Sequence, residues 1–149
     1  MKQPGVLITL IVFIAGVSFV LSAQEQKGGR PISAILSGGA EVPGPGDADG
    51  TGLVKLTFNP GQNQICYELT VENIAPATMA HIHSGAANAA GPVVVTLKAP
   101  TQGTVKDCVQ VDKDKISKIM DDPESFYVNV HNADFPNGAV RGQLPKQGS

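Results

Sequence analysis

From residue 32 onward the chain runs in short segments of alternating apolar and polar residues, separated by clusters of Gly, Pro and Asn. That pattern predicts an all-β, antiparallel sandwich or barrel. Eight strands are expected, at 32–36, 52–58, 64–71, 79–84, 92–97, 108–111, 126–131 and 139–144. In the second, Val54, Leu56 and Phe58 alternate with Leu53, Lys55 and Thr57, and Asn59-Pro60-Gly61-Gln62-Asn63 then supplies the turn chemistry of a hairpin. One short helix is predicted over 112–121, where Ile116, Ile119 and Met120 recur at spacings of three and four, Asp112 or Asp114 can cap the start and Pro123 ends it. Residues 38–50 are too rich in Gly and Pro for regular structure and are expected to form a surface loop.

The same alternation places the histidines. Successive side chains of a strand take opposite faces. In Met79-Ala80-His81-Ile82-His83 the core takes Ala80 and Ile82, so His81 and His83 share the other face. In Phe126-Tyr127-Val128-Asn129-Val130-His131 the core takes Phe126, Val128 and Val130, which leaves Tyr127, Asn129 and His131 opposite. All three histidines of the chain are thus expected to face away from the core, towards solvent.

The start of the chain reads differently. Lys2 precedes an apolar run over 6–21, broken only by Thr9, Gly16 and Ser18, and Ser22-Ala23 offers small residues for cleavage. Residues 1–23 therefore read as a secretory signal peptide, with an uncleaved anchor as the alternative because Leu21 is large for its place before a cut. The run is shorter than a membrane span of about 20 residues, and no cysteine follows it to carry a lipid. Its removal leaves 126 residues with 10 basic and 13 acidic side chains, enough for one domain. Residues 24–31 are expected to be a flexible lead-in and 32–146 the folded domain. The basic residues are scattered and no aromatic-plus-basic surface accompanies them, which argues against nucleic acid as a partner. With the leader removed, no stable membrane insertion is expected.

An exported chain meets an oxidising compartment, either periplasm or extracellular space, where two cysteines usually pair. Ile65, Tyr67, Leu69 and Val71 form the inward set of one strand and Val109 and Val111 that of another, so Cys66 and Cys108 both point outward and can staple neighbouring strands. Two independent thiols are the alternative.

Two histidines at i and i+2 on a strand have Cβ atoms about 6.5 to 7 Å apart, a spacing a metal ion can bridge. Addition of His131 from an adjacent strand makes a three-nitrogen set suited to copper, with zinc the lesser candidate. The plainer alternative is three surface histidines that only make hydrogen bonds. Pro136-Asn137-Gly138 reverses the chain, and on the returning strand Val140 and Leu144 face in while Arg141 and Gln143 share the histidines' face. Arg141 is a candidate for guiding a small anion, or else a structural partner of Asp134 or Glu68. Asp134 is a candidate to accept from the N–H of a metal-binding imidazole, behind the ligands themselves, or else a turn residue. No serine stands in a nucleophile-elbow context and no glycine-rich loop could cradle phosphate, so hydrolase and nucleotide-binding readings find no support.

Together, Leu36-Ser37-Gly38-Gly39-Ala40-Glu41-Val42-Pro43, Cys66-Tyr67-Glu68-Leu69, Ala80-His81-Ile82-His83-Ser84-Gly85, Gly91-Pro92-Val93-Val94 and the run from Tyr127 to Leu144 resemble the CHRD domain, the module named from chordin and also found singly in exported bacterial proteins. In chordin such domains belong to an extracellular protein that binds bone morphogenetic proteins; for the bacterial members the resemblance implies no activity. A fainter resemblance reaches the copper-zinc superoxide dismutases, eight-stranded Greek-key barrels that bind copper on the outer face. His81 and His83 match their H-x-H pair, His131 with Asp134 the late copper histidine and its acidic neighbour, and Arg141 before Gly142 the arginine that guides superoxide. The bridging histidine and the zinc ligands have no counterpart, and Cys66 with Cys108 departs from that family's disulfide. This likeness implies a Greek-key barrel with a copper-only site and superoxide or other redox activity, served by a small anion or a metal-donor protein. The rival expectation is an inert extracellular interaction or adhesion module without metal.

Overall fold

The computed structural model describes residues 31–146, so the expected signal peptide and most of the lead-in lie outside the described residues. Eight strands form one antiparallel sheet: β1 (Ile32–Ser37), β2 (Thr51–Asn59), β3 (Gln64–Glu72), β4 (Ala77–Ser84), β5 (Val93–Leu97), β6 (Thr104–Gln110), β7 (Phe126–Asn132) and β8 (Val140–Gln143). Their order is β5-β4-β7-β8-β1-β2-β3-β6, which curls into a nearly closed barrel. Strands distant in sequence pair at β4/β7, β3/β6 and β1/β8, the crossovers of a Greek key. The fold class is as expected, with one continuous sheet in place of two separate layers.

Alternation drives this closure. Val54, Leu56 and Phe58 of β2, Ile65, Tyr67 and Leu69 of β3, Ala80 and Ile82 of β4, and Val128 and Val130 of β7 all enter one buried cluster. The helix α1 (Lys113–Asp121) adds Ile116 and Ile119, both fully buried, so its apolar stripe plugs the barrel while its charged residues stay outside. Its start falls where Asp112 was expected to cap it, although the Asp112 side chain makes no capping bond. The β2–β3 hairpin turns through a short 3-10 segment, Pro60–Gln62, and Asn63 closes it with a positive φ of 52°. Across the open side of the barrel, the Lys98 backbone N–H donates to the Tyr67 phenol oxygen at 2.7 Å.

One strand was poorly legible. β6 begins at Thr104, ahead of the expected residue 108, because Lys106, Asp107 and Cys108 are all exposed and only Val105 and Val109 carry the inward phase. It is an edge strand with a single partner, and edge strands tolerate charge. Among the described residues no helix is long and apolar enough to cross a membrane.

Cys66 and Cys108 are directly opposed in the β3/β6 ladder and form a disulfide across 42 positions of sequence. Both lie on the outer face, in the phase the alternation required. Closing a loop of that size stabilises by about 3 to 4 kcal/mol through the unfolded chain. Reduction, or the double change Cys66→Ala with Cys108→Ala, is expected to lower stability to urea by about that amount. Equal stability with and without reductant would refute the expectation.

Candidate metal centre

His81 and His83 stand on β4, and His131 on the neighbouring strand β7. The register sets His81 opposite Asn129, His83 opposite Tyr127 and Met79 opposite His131, so the third imidazole reaches the first along a diagonal of the ladder. One ring nitrogen from each histidine lies within 4.8 Å of the others. The Nδ1 of His81 and the Nε2 of His131 are 3.2 Å apart.

The histidines are on the outer face of the sheet, as expected, but they do not look out to solvent. His83 and His131 are buried and His81 is half-buried, because three loops fold over that face. These loops also choose the tautomers. A carbonyl can only accept, so His83 donates through Nδ1 to Gly91 O at 2.9 Å and His131 donates through Nδ1 to Pro136 O at 3.0 Å. This tautomer leaves a lone pair on each Nε2, and that of His131 is directed at His81 Nδ1. Among the described residues the Nε2 of His83 is buried with no hydrogen-bond partner.

Electrostatics agree with the geometry. Burial lowers the pKa of His81, and the neighbouring His131 and His83 lower it further. Burial also lowers that of His131, against the bond to Pro136. Neutral imidazoles are the form that binds a cation. Three such nitrogens around one ion at about 2.0 to 2.1 Å would be about 3.3 Å from each other, against 3.2 Å between His81 Nδ1 and His131 Nε2 and at most 4.8 Å across the cluster. The residues present fit a metal ion.

The face extends beyond the histidines. Tyr127 stacks on His83 with ring centroids 4.9 Å apart and planes at 7°, and the Arg141 guanidinium carbon sits 3.4 Å above the other part of that stack, over the Tyr127 ring. Arg141 donates through Nη2 to Ala86 O at 2.8 Å and to Gln143 Oε1 at 3.3 Å. A desolvated cation over an aromatic ring contributes about 2 kcal/mol. The expectation that Arg141 presents its charge to solvent is corrected: it is 1% exposed, covered by residues around Ala86. It pairs with neither Asp134 nor Glu68, and Glu68 is held by Lys106 at 3.2 Å. Asp134 is exposed, and the acceptor at His131 Nδ1 is the Pro136 carbonyl rather than its carboxylate. A turn carbonyl reaches the ring because Pro136 follows His131 by five residues and the chain doubles back there.

One residue of this face escaped the sequence. Glu41, in the 38–50 loop, is buried, and Asn129 Nδ2 donates to both of its oxygens at 2.9 and 2.8 Å. The two residues are 88 positions apart, and a lone acid in a Gly/Pro loop carries no periodic signal. Burial pushes its pKa up to about 7, against the lowering effects of the Asn129 amide and the Arg141 charge. Gly138 seals it in: with φ at +144°, its bare Cα packs where any Cβ would collide with the Glu41 carboxylate.

Glu41 ionises near 4.5 in an unfolded chain and near 7 in the fold, so its contribution to stability is fully present below about pH 4.5 and is lost as pH rises through about 7. His81 and His131 act oppositely, since their lowered folded pKa removes stability as pH falls below 6.5. In metal-free protein, Glu41→Gln is therefore expected to gain on the wild type by roughly 2 to 3 kcal/mol between about pH 5 and about pH 8, read from urea unfolding. A stability difference that stays constant over that range would show that Glu41 does not titrate with folding.

Compared with known protein families, residues 32–144 match the CHRD domain. Comparison with curated proteins and with solved structures gives no match. The matched stretch spans β1 to β8 and carries the three histidines, the two cysteines and Arg141. This chain belongs to the CHRD domain family.

Proposed function

We propose that the protein is exported and binds copper through His81, His83 and His131, with 1–23 as its signal peptide and 32–146 as its working domain. One observation carries the reading. Two imidazoles are locked by backbone carbonyls into the tautomer that leaves Nε2 free of hydrogen; that of His131 lies 3.2 Å from the Nδ1 of His81, and that of His83 is buried with no hydrogen-bond partner among the described residues. Three neutral nitrogens without a carboxylate or thiolate suit copper better than magnesium, calcium or manganese, with zinc the nearest competitor. The disulfide accords with an oxidising compartment.

Turnover is the narrower claim. Three protein ligands leave a further position on the ion, on the side where His81 is partly exposed, and such a position can admit a small anion such as superoxide. Arg141 would then act through its charge from beneath the surface, which is a weaker steering device than an exposed guanidinium. Copper carriage or storage, filled by a metal-donor protein, therefore stands ahead of superoxide dismutation. The rival, a metal-free interaction module, draws on Ile35 and Leu53, directly opposed on β1 and β2 and both exposed, Ile35 at 80%.

Tag-free protein from its native compartment is expected to hold one copper per chain by elemental analysis. His131→Ala should abolish tight binding, a loss of at least about a hundredfold in affinity given that removing even an outer partner costs 10- to 100-fold. Superoxide consumption by the loaded protein above that of free copper would support the redox claim. Failure of wild type to take up either copper or zinc would end the metal reading in favour of the interaction module.

A further inference from the structure

The open side of the histidine cluster is bounded by a methionine. Along β4 exposure rises from His83, at 9%, through His81 to Met79, at 46%. Met79 precedes His81 by two residues on the same face of the strand and is directly opposed to His131 across the ladder. Its Cβ is thus about 4.5 to 5.5 Å from that of His131 and about 6.5 to 7 Å from that of His81. Those are the two residues whose ring nitrogens come within 3.2 Å of each other. A ladder irregularity between Ala77 and Met79 sets this phase, since pairing is regular from Met79 to Ser84. Met79 takes no place in the core cluster.

A long, flexible thioether on the exposed rim of three neutral imidazoles has a definite chemistry. Sulfur of this kind is a soft ligand, favouring cuprous over cupric or zinc ions. Charge points the same way. Three imidazoles and a thioether form a set with no anionic member, and a partly buried site without a counter-charge is less penalised by a single positive charge than by two. Glu41 lies on the same outer face but is engaged by Asn129.

We propose that Met79 supplies the fourth ligand of this centre through its sulfur, in the position a small anion would otherwise take, and that the centre is built to hold cuprous ion; this rests on the copper reading above in its carrier form. X-ray absorption of the protein loaded with Cu(I) under reducing, anaerobic conditions is expected to show one sulfur alongside three nitrogens in the first shell. Met79→Leu keeps the size and apolarity of an exposed side chain and so leaves the fold intact. In competition with a cuprous chelator it should bind Cu(I) about tenfold more weakly or worse, while Cu(II) affinity changes by less than about threefold. A nitrogen-only shell with unchanged Cu(I) affinity in Met79→Leu would overturn the assignment and leave the three-histidine centre standing. Absence of both Cu(I) and Cu(II) binding in the wild type would overturn the centre itself, and the fourth ligand with it.

Discussion

The antiparallel pairing of β4 with β7 is the contact on which both the core and the candidate site depend. The two strands are separated by β5, β6 and α1 in sequence, yet they lie side by side, with Ile82 opposite Val128 and Ala80 opposite Val130. These four are buried in the barrel, and truncating Ile82 to alanine costs about 2 to 5 kcal/mol. A slip of β4 by one residue would turn Ala80 and Ile82 outward and carry His81 and His83 into the core, away from His131 on β7. Hydrophobic burial on one face therefore sets the positions of the imidazoles on the other.

What the outer face becomes is decided by its cover. Segments around Glu41, Ala86 with Gly91, and Pro136 fold over β4, β7 and β8, each tied down by at least one side chain of the face. Their backbone carbonyls need donors once they leave water, and His83, His131 and Arg141 provide them. The same bonds that satisfy the loops orient two of the rings. Burial then disfavours charge on His81 and His131, which favours the form that binds a cation.

Charge on this face is concentrated in two buried groups. Arg141 is held between the Tyr127 ring and the Ala86 carbonyl, while Glu41 sits against Asn129 with its pKa near 7. Tyr127 links this pair to the site, because its ring lies between the guanidinium and the His83 imidazole. A change at Arg141 thus acts on the centre through the placement of His83, as well as through its charge.

Much of this was legible in the order of residues. Alternation alone placed the inward sets of β2, β3, β4 and β7, the β2–β3 turn, the helix, the shared face of His81, His83 and His131, and the outward phase of Cys66 and Cys108, because a period of two is a local property of the chain. The low-signal edge strand β6 escaped for the converse reason: charged residues left too few apolar positions to mark its start. Solvent exposure was decided only in three dimensions. Nothing local to Arg141 or His131 shows that a loop will cover it, nor that Pro136 rather than Asp134 will accept from the imidazole. Glu41 meets Asn129 only through a contact across 88 positions of sequence. Which face a residue takes is a matter of its neighbours in the chain, whereas what covers that face is a matter of neighbours that only the closed barrel brings together.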